Sequence, residues 1–446
     1  MLSMSKHRKR QWLYVLFDYL SAMVAWLMFL AFRWVVNDGI TFGFSTVVLP
    51  ALHLVHSLLL YPLLVIIVHY LTGYYLRPYK LTYLYEIWKT LIGTFFIGGI
   101  AFVTIILNDP VSDYTVYYRS LIALWAIQFC CSYPPRLLHS YLIKRKNPLQ
   151  KKQSLVVGDK SLLPRLPLRD IVGEIKDINS WESVLKSKTF DEVIIALHNP
   201  QPEILYPIIS KVYPSGKDIS MIPNTMDFLT GAAKVKNLTS SPLVSVTDLP
   251  MADWKLCFKR AFDVVSATVS VVLLSPLLAL IAILVKSDSK GPVLYKQQRI
   301  GRRGKPFVIY KFRTMVANAE SGTPMLAEKE DKRITKVGHW LRKYRLDELP
   351  QLWNIIKGDM SVVGPRPERE FFIRQIEQRA PYYCLLYKVR PGLTSWGQIK
   401  VGYADTIDKM IERLDMNIAY INNTSLTLDI KIIIYTFGIL IDGRGQ

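Results

Sequence analysis

Residues 342–367 read RKYRLDELPQLWNIIKGDMSVVGPRP and set two adjacent carboxylates, Asp347 and Glu348, among Arg342, Arg345 and Arg366. Pro350 stands just behind the pair, and Gly358 follows Lys357. Proline is tolerated in the first turn of a helix, where its missing N–H would have no partner anyway, and glycine is a common stop. The pattern predicts a short helix over about 348–357 with Asp347 at its mouth. A helix N-terminus carries unpaired N–H groups and roughly half a positive charge, so it attracts anions. An Asp there stays ionised, and arginines supply the planar clamps that phosphate oxygens favour. These are the parts of phosphoryl transfer, in which an acidic residue attacks phosphorus or holds a divalent metal. The same residues equally fit an Asp N-cap with arginine partners on a solvated helix, and the helix alone leaves both readings open.

The wording is more specific than the spacing. LDELPQLWNIIKGDMSVVGPRPE (346–368), YKFRTM (310–315) and RPGLTSWGQ (390–398) together resemble the bacterial polyprenyl-phosphate glycosyl-1-phosphate transferases, the monotopic sugar-transferase family that starts lipid-linked glycan synthesis. The resemblance is dense from about 259 to 445. Upstream it is one of layout, since the family's long form also carries a membrane region and a Rossmann-like domain. It implies transfer of a sugar-1-phosphate from a nucleoside diphosphate sugar, with a UDP-sugar the favoured donor, to undecaprenyl phosphate. The acceptor is already an anionic nucleophile, so a general base adds little and an Asp is better used in covalent catalysis. Asp347 is thereby assigned as nucleophile and Glu348 as a ligand for Mg²⁺, which spreads pyrophosphate charge. Arg342 and Arg366 would hold phosphate oxygens, Lys311 and Arg313 would line the site, and Asp359 is a weaker candidate for structural or metal support. A non-enzymatic membrane polysaccharide assembly or regulatory protein is the rival reading, and it would not require the acidic dyad.

The elements around the site follow from composition and patterning. Half of the 446 residues are hydrophobic and the formal charge is +21, which suits an anionic membrane face or anionic substrates. Nucleic acid is not expected, because helix-turn-helix, zinc-finger and RNP signatures are missing and the basic residues lie beside apolar runs. Cys130, Cys131, Cys257 and Cys384 lack paired spacing and read as buried thiols. The first apolar segment is too long for a cleavable signal and lacks its exit motif.

Apolar runs at 12–36, 47–71, 87–107 and 117–131 each approach the roughly 20 residues that cross a bilayer. Basic ends at 6–10, 77–89 and 136–152, against the loops near Asp38 and at 108–113, orient the N-terminus inward. Four spans therefore leave everything after Arg136 at the cytoplasmic face of a bacterial inner membrane. From 153 to 250, apolar strands alternate with short helices, WESVLKSK (181–188) among them, as in a small parallel α/β domain. VVGDKSLLP (156–164) lacks the G-x-G-x-x-G that brings backbone to a pyrophosphate, which favours a structural or homodimer-forming role.

The run at about 261–285 is long enough to span, yet both flanks are basic, with Lys255, Lys259 and Arg260 before it and Lys286, Lys290 and Lys296 after it. Ser275 and Pro276 interrupt it near the middle, where proline removes a helix hydrogen bond and bends the chain. A re-entrant hairpin that keeps both ends cytoplasmic is the expectation. Residues 291–315 read as strands around a glycine turn, and 426–440, broken by Asp429 and Lys431, as an amphipathic helix lying on the membrane. The expected fold class is an α/β membrane protein. It comprises a four-helix transmembrane region at 1–140, a Rossmann-like domain at 150–250, and a mainly helical catalytic domain at 254–446. No catalytic constellation is visible in 1–250, so that part is expected to be dispensable for chemistry.

Overall fold

The computed structural model describes residues 2–36, 48–76, 83–108, 114–146, 152–163, 169–175, 190–198, 200–224, 243–247, 251–316, 331–402 and 404–441. The helix expected at 181–188 and the loops at 37–47, 77–82 and 109–113 lie outside the described residues. The chain forms two compact units: Met1–Leu149 with Ala252–Phe258, and Gln150–Met251 with Lys259–Gln446.

In the first unit the four apolar runs seed four long helices: α1 (Leu2–Val36), α2 (Val48–Leu71), α3 (Tyr83–Asn108) and α4 (Tyr114–Lys146). By length and composition, Trp12–Arg33 and Tyr85–Thr104 can each cross a membrane, whereas Val55–Leu71 is a shorter apolar helix. The first unit is that of a membrane protein. Its interior holds ionisable side chains that the hydropathy pattern conceals. Arg136 of α4 makes a two-pronged ion pair with Asp18 of α1, at 2.7 and 2.6 Å. Tyr75 donates to Asp18 at 2.6 Å, and Tyr74 and Ser140 both donate to Glu86. Each charge has partners, as burial in an apolar bundle demands.

The second unit opens with the α/β segment. Strands β1 (Lys152–Gly158), β2 (Arg169–Ile175), β3 (Glu192–Ala196), β4 (Asp218–Met221) and β5 (Val244–Ser245) form one sheet in the order β2-β1-β3-β4-β5. All neighbours pair parallel except β4 and β5. Leu155–Val157 and Val193–Ile195 are buried throughout, as central parallel strands must be. Helix α5 (Pro202–Val212) covers one face with Ile208, Ile209 and Val212. In the turn after β1, Gly158 has φ +105°, and a Cβ there would lie 2.0 Å from the Ala196 carbonyl oxygen. Two amides of that turn are already engaged: Ser161 N–H donates to Asp159 at 2.8 Å and Lys160 N–H to Glu174 at 3.2 Å. Carboxylates thus sit where a dinucleotide-binding turn offers free amides to a pyrophosphate.

The α/β segment shares its core with the C-terminal segment. Cys384, from the 3₁₀ stretch Pro381–Lys388, packs among Ile208, Ile209, Val212 and Tyr213, while Tyr383 and Leu386 of the same stretch enter the core of the C-terminal segment. Burial pushes the Cys384 thiol up to about 12. In the whole protein Cys384 should therefore resist maleimide, and a fragment starting at Trp254 should label there and melt lower. If 1–250 is dispensable for chemistry, that fragment retains metal-dependent transfer; complete loss in a folded fragment would contradict dispensability. Cys257 is buried as expected, but Cys130 is exposed and Cys131 half-buried, its thiol 3.8 Å from the Met28 sulfur of α1.

The C-terminal segment is mainly helical. Helices α6 (Asp253–Leu273) and α7 (Ser275–Asp288) meet at a 64° bend. The sequence accounts for it: Pro276 has no N–H, and Ser275 turns its hydroxyl back to the Val272 carbonyl at 2.8 Å. Strands β6 (Leu294–Ile300) and β7 (Pro306–Phe312) then form an antiparallel hairpin, its turn made by Arg303 and Gly304 at positive φ. Helix α8 (Lys336–Lys343), α9 (Gln351–Lys357), β8 (Ser361–Val363), α10 (Glu370–Arg379), β9 (Gly392–Thr394), α11 (Trp396–Val401), α12 (Ile407–Asn422) and α13 (Leu426–Ile441) follow. In α13, Asp429 does not interrupt an apolar face. It is buried and accepts from Lys259 and Tyr420, both at 2.6 Å, while Ile430, Ile434 and Phe437 stay exposed.

Candidate active site

The acidic pair does not begin a helix. Leu346–Glu348 form a separate 3₁₀ turn, and α9 starts at Gln351, with Pro350 as its N-cap. The cause is Pro350: it cannot donate to the turn before it, so the hydrogen bonds stop at Leu349 N–H to Leu346 and resume at Leu352 N–H to Leu349. The expectation of Asp347 as the mouth of a helix over 348–357 is thereby corrected. Arg345, just before the turn, is held at φ +53°, a left-handed conformation uncommon for a non-glycine residue and of the kind found where a site over-determines the backbone.

Neighbouring elements lock this turn in place. Asn354 of α9 acts like an edge strand toward β7: its Nδ2 donates to the Val308 carbonyl at 2.7 Å, and its Oδ1 accepts from Tyr310 N–H at 3.2 Å. Lys311, the next residue of β7, consequently reaches Glu348 at 2.8 Å. At the far end of α9, Arg260 donates to the Ile355 and Ile356 carbonyls at 2.8 and 3.0 Å, where a cation complements the helix dipole. The second wall comes from β8 and β9. Gly364 and Gly392 cross so closely that a Cβ on Gly392 would lie 2.1 Å from the Gly364 nitrogen. That crossing delivers Arg366 to Glu348 at 3.0 Å.

Asp347 and Glu348 are 8 % and 6 % exposed, yet their surroundings drive them apart. Burial raises the Asp347 carboxyl above the ordinary range, and adjacent Glu348 adds to this against the positive charges of Lys311, Arg342 and Arg366. Burial would raise Glu348 too, but Arg366, Lys311 and Arg345 together hold it well below the carboxylate range. Lys311 itself is lowered by burial and by Arg366 despite its pairing with Glu348, because it shares that carboxylate with a second cation. Among the described residues Asp347 has no hydrogen bond or ion pair, so one carboxylate is tied down and its neighbour is left free in a positive field. A pair tuned in opposite directions is what division of labour between two acids requires.

Of the expected site residues, the structure brings together Asp347, Glu348, Lys311 and Arg366. Arg342 contributes its charge to Asp347, while its Nε donates to Thr314 at 2.9 Å and its Nη1 is buried without a partner among the described residues. β7 ends at Phe312, and beyond it Arg313 Nη2 donates to the Val285 and Ser289 carbonyls at 3.2 and 2.6 Å, at the C-terminal end of α7, while its Nε and Nη1 are buried without a partner among the described residues. Asp359 pairs with Lys357 at 3.0 Å, at the opposite end of α9 from the dyad. Sequence reasoning missed Glu368, Arg299 and Arg413, a buried ionic cluster behind Arg366. The GPRPE wording that contains Glu368 was the available signal.

Among the described residues no group of three or more potential metal ligands converges. That does not exclude Mg²⁺, which binds through one or two carboxylates together with substrate phosphates. Glu348 offers one oxygen already doubly paired through Lys311 and Arg366, and Asp347 an unengaged carboxylate beside it. The residues present fit an ion shared with a bound pyrophosphate, not a cage made by protein alone.

The buried dyad, the cations around it and the broken apolar helix all fall in the C-terminal part of the chain. The chain belongs to the bacterial sugar transferase family, whose sequence model matches residues 254–443. It is 39% identical over 189 residues to "Exopolysaccharide production protein PSS" of Rhizobium leguminosarum bv. phaseoli, covering 41% of this chain and 94% of that one. It is 38% identical over 224 residues to the UDP-N-acetylgalactosamine-undecaprenyl-phosphate N-acetylgalactosaminephosphotransferase of Aeromonas hydrophila, covering 50% of this chain and 52% of the relative. To the UDP-glucose:undecaprenyl-phosphate glucose-1-phosphate transferase of Escherichia coli K12 it is 39% identical over 220 residues, 49% of this chain and 47% of the relative. The chain thus spans about half the length of these last two relatives.

Proposed function

We propose that the protein transfers a sugar-1-phosphate from a nucleoside diphosphate sugar, with UDP-sugars favoured, to undecaprenyl phosphate, starting a membrane-linked glycan. The observation that carries this reading is Asp347: a buried carboxylate with no hydrogen-bond partner among the described residues, in the positive field of Lys311, Arg342 and Arg366 and next to a Glu348 whose Oε1 accepts from both Lys311 and Arg366. Asp347 attacks the sugar-bearing phosphorus, forming an Asp–phosphosugar ester and expelling the nucleoside monophosphate. The lipid phosphate oxygen then attacks the same phosphorus and releases Asp347 as a carboxylate. Arg342 and Arg366 hold phosphate oxygens, and Lys311 keeps Glu348 ionised and in place. Mg²⁺ would sit between Glu348 and the pyrophosphate and neutralise its charge. Support for the donor class comes from relatives named for UDP-glucose and UDP-N-acetylgalactosamine. The test is nucleotide release across UDP- and GDP-sugars with undecaprenyl phosphate. Folded protein that releases nucleotide from none of them contradicts the enzymatic reading and favours a non-enzymatic assembly or regulatory role.

The same reading places α1–α4 across the bacterial inner membrane, with the bent α6–α7 pair as a re-entrant hairpin and the dyad at the cytoplasmic face. It is supported by the 64° break at Ser275–Pro276 and by the basic flanks of the pair. A homodimer built through the α/β segment belongs to it as well, with mass photometry in nanodiscs as its check. Cysteines introduced just after residue 290 should resist an impermeant reagent outside intact cells, while one near Asp109 should react. Labelling at both sites would make the pair a span. Pro276→Ala should lower activity about tenfold by straightening the break and misplacing the site, within the several kcal/mol that a proline controls; wild-type activity would contradict that role.

A further inference from the structure

We propose that Glu368 is a positioning residue of the transfer site, clamped between Arg299 of β6 and Arg413 of α12 so that Arg366 is presented to Glu348. The inference rests on the phosphotransfer reading above and deepens it. Glu368 is 7 % exposed; its Oε2 accepts from Arg299 Nη1 at 3.2 Å and its Oε1 from Arg413 Nη2. The backbone around it is tied to the same strand: Arg299 Nη1 also donates to the Pro367 carbonyl at 3.0 Å, and Ile300 N–H donates to the Glu368 carbonyl at 3.2 Å. On the other side of Arg366, Gly364 N–H donates to Thr394 at 3.0 Å and Gly392 N–H donates to the Pro365 carbonyl at 2.9 Å. Pro365 and Pro367 fix φ on either side. Arg366 therefore projects from a segment held at both ends, and Glu368 supplies the side-chain half of one end.

Charge alternates through the cluster. Arg413 and Arg299 meet Glu368, while Arg366 meets Glu348, which also meets Lys311. Without the Glu368 carboxylate, two buried guanidiniums would lose the negative charge that neutralises them beside a third. A buried pair broken from one side costs far more than the pair itself contributes, and the cheapest relief is movement of the 365–368 segment. That movement would take Arg366 away from the phosphate it must hold in the transition state, so the effect falls on kcat more than on donor KM.

The experiment is a double-mutant cycle on the full chain in nanodiscs: E368Q, R366A and the pair, with donor kcat and KM, single-turnover rates and thermal unfolding. If Glu368 acts through Arg366, E368Q lowers kcat about thirtyfold with donor KM moving less than about threefold, and costs less than about twofold when Arg366 is already alanine. Equal fold losses with and without Arg366, or a loss that merely tracks the unfolded fraction, would overturn the proposal. Should E368Q not fold, R413K releases the clamp from its other side, and the same coupling to R366A is expected. Active wild type with additive losses removes only the positioning role, whereas wild type inactive with every donor removes the phosphotransfer reading itself.

Discussion

Asp347→Asn should abolish overall transfer, with a loss of at least about a thousandfold, roughly 4 kcal/mol of transition-state stabilisation. The substitution keeps the shape of the side chain and removes the nucleophilic oxygen charge. The protein should nevertheless become more stable at neutral pH. Because burial raises the Asp347 carboxyl, its contribution to stability is present below the unfolded-state value, about 3.9, and is lost as pH rises through the folded value. At pH 7 the wild type thus carries an ionised group better accommodated in the unfolded chain, and asparagine relieves it. The check is activity alongside thermal unfolding in nanodiscs across pH 4 to 8. Lost activity with an unchanged or lowered neutral-pH melting temperature would contradict the proposed environment of the nucleophile.

Glu348→Gln should produce a comparable rate loss with the opposite effect on stability. The wild-type carboxylate accepts from Lys311 and Arg366, and its folded value lies well below the ordinary range. Its contribution to stability is therefore present above the unfolded value, about 4.3, and is lost only as pH falls through the lowered folded value. Replacing it leaves two buried cations without the negative charge they share, at a cost of about 3 kcal/mol. Mg²⁺ dependence should weaken as well, since a charged oxygen ligand is gone. Unfolding curves and Mg²⁺ titrations of E348Q beside D347N read out all three effects. Destabilisation by both variants, or by neither, would show that the two carboxylates do not occupy opposed environments.

Much of this arrangement was legible in the chain. The alternation in 153–250 announced the small parallel sheet that β1 to β4 form, because buried parallel strands leave continuous apolar runs. The break at Ser275–Pro276 was readable for the same reason that it forms, the missing N–H of proline. The dyad and its partners Lys311 and Arg366 were found through local wording. What escaped depends on contacts between distant residues. Arg413 meets Glu368 across 45 positions and Arg299 across 69, and no periodicity links such residues. Arg136 and Asp18 meet across 118 positions inside segments whose average is apolar, so hydropathy hides them. Arg313 was expected at the site from its family wording, and that wording did not show its contacts with the Val285 and Ser289 carbonyls, which reach across 28 and 24 positions.

The central claim is that Asp347 carries the phosphosugar between donor and lipid. It is tested most directly by intact-protein mass spectrometry after incubation with the active nucleotide-sugar and Mg²⁺ in the absence of lipid acceptor, followed by peptide mapping. The account predicts a mass increase of one sugar phosphate less water that maps to Asp347, disappears on addition of undecaprenyl phosphate, and is missing in D347N. An adduct mapping to Glu348, or rapid transfer with no adduct under any quench, would contradict it.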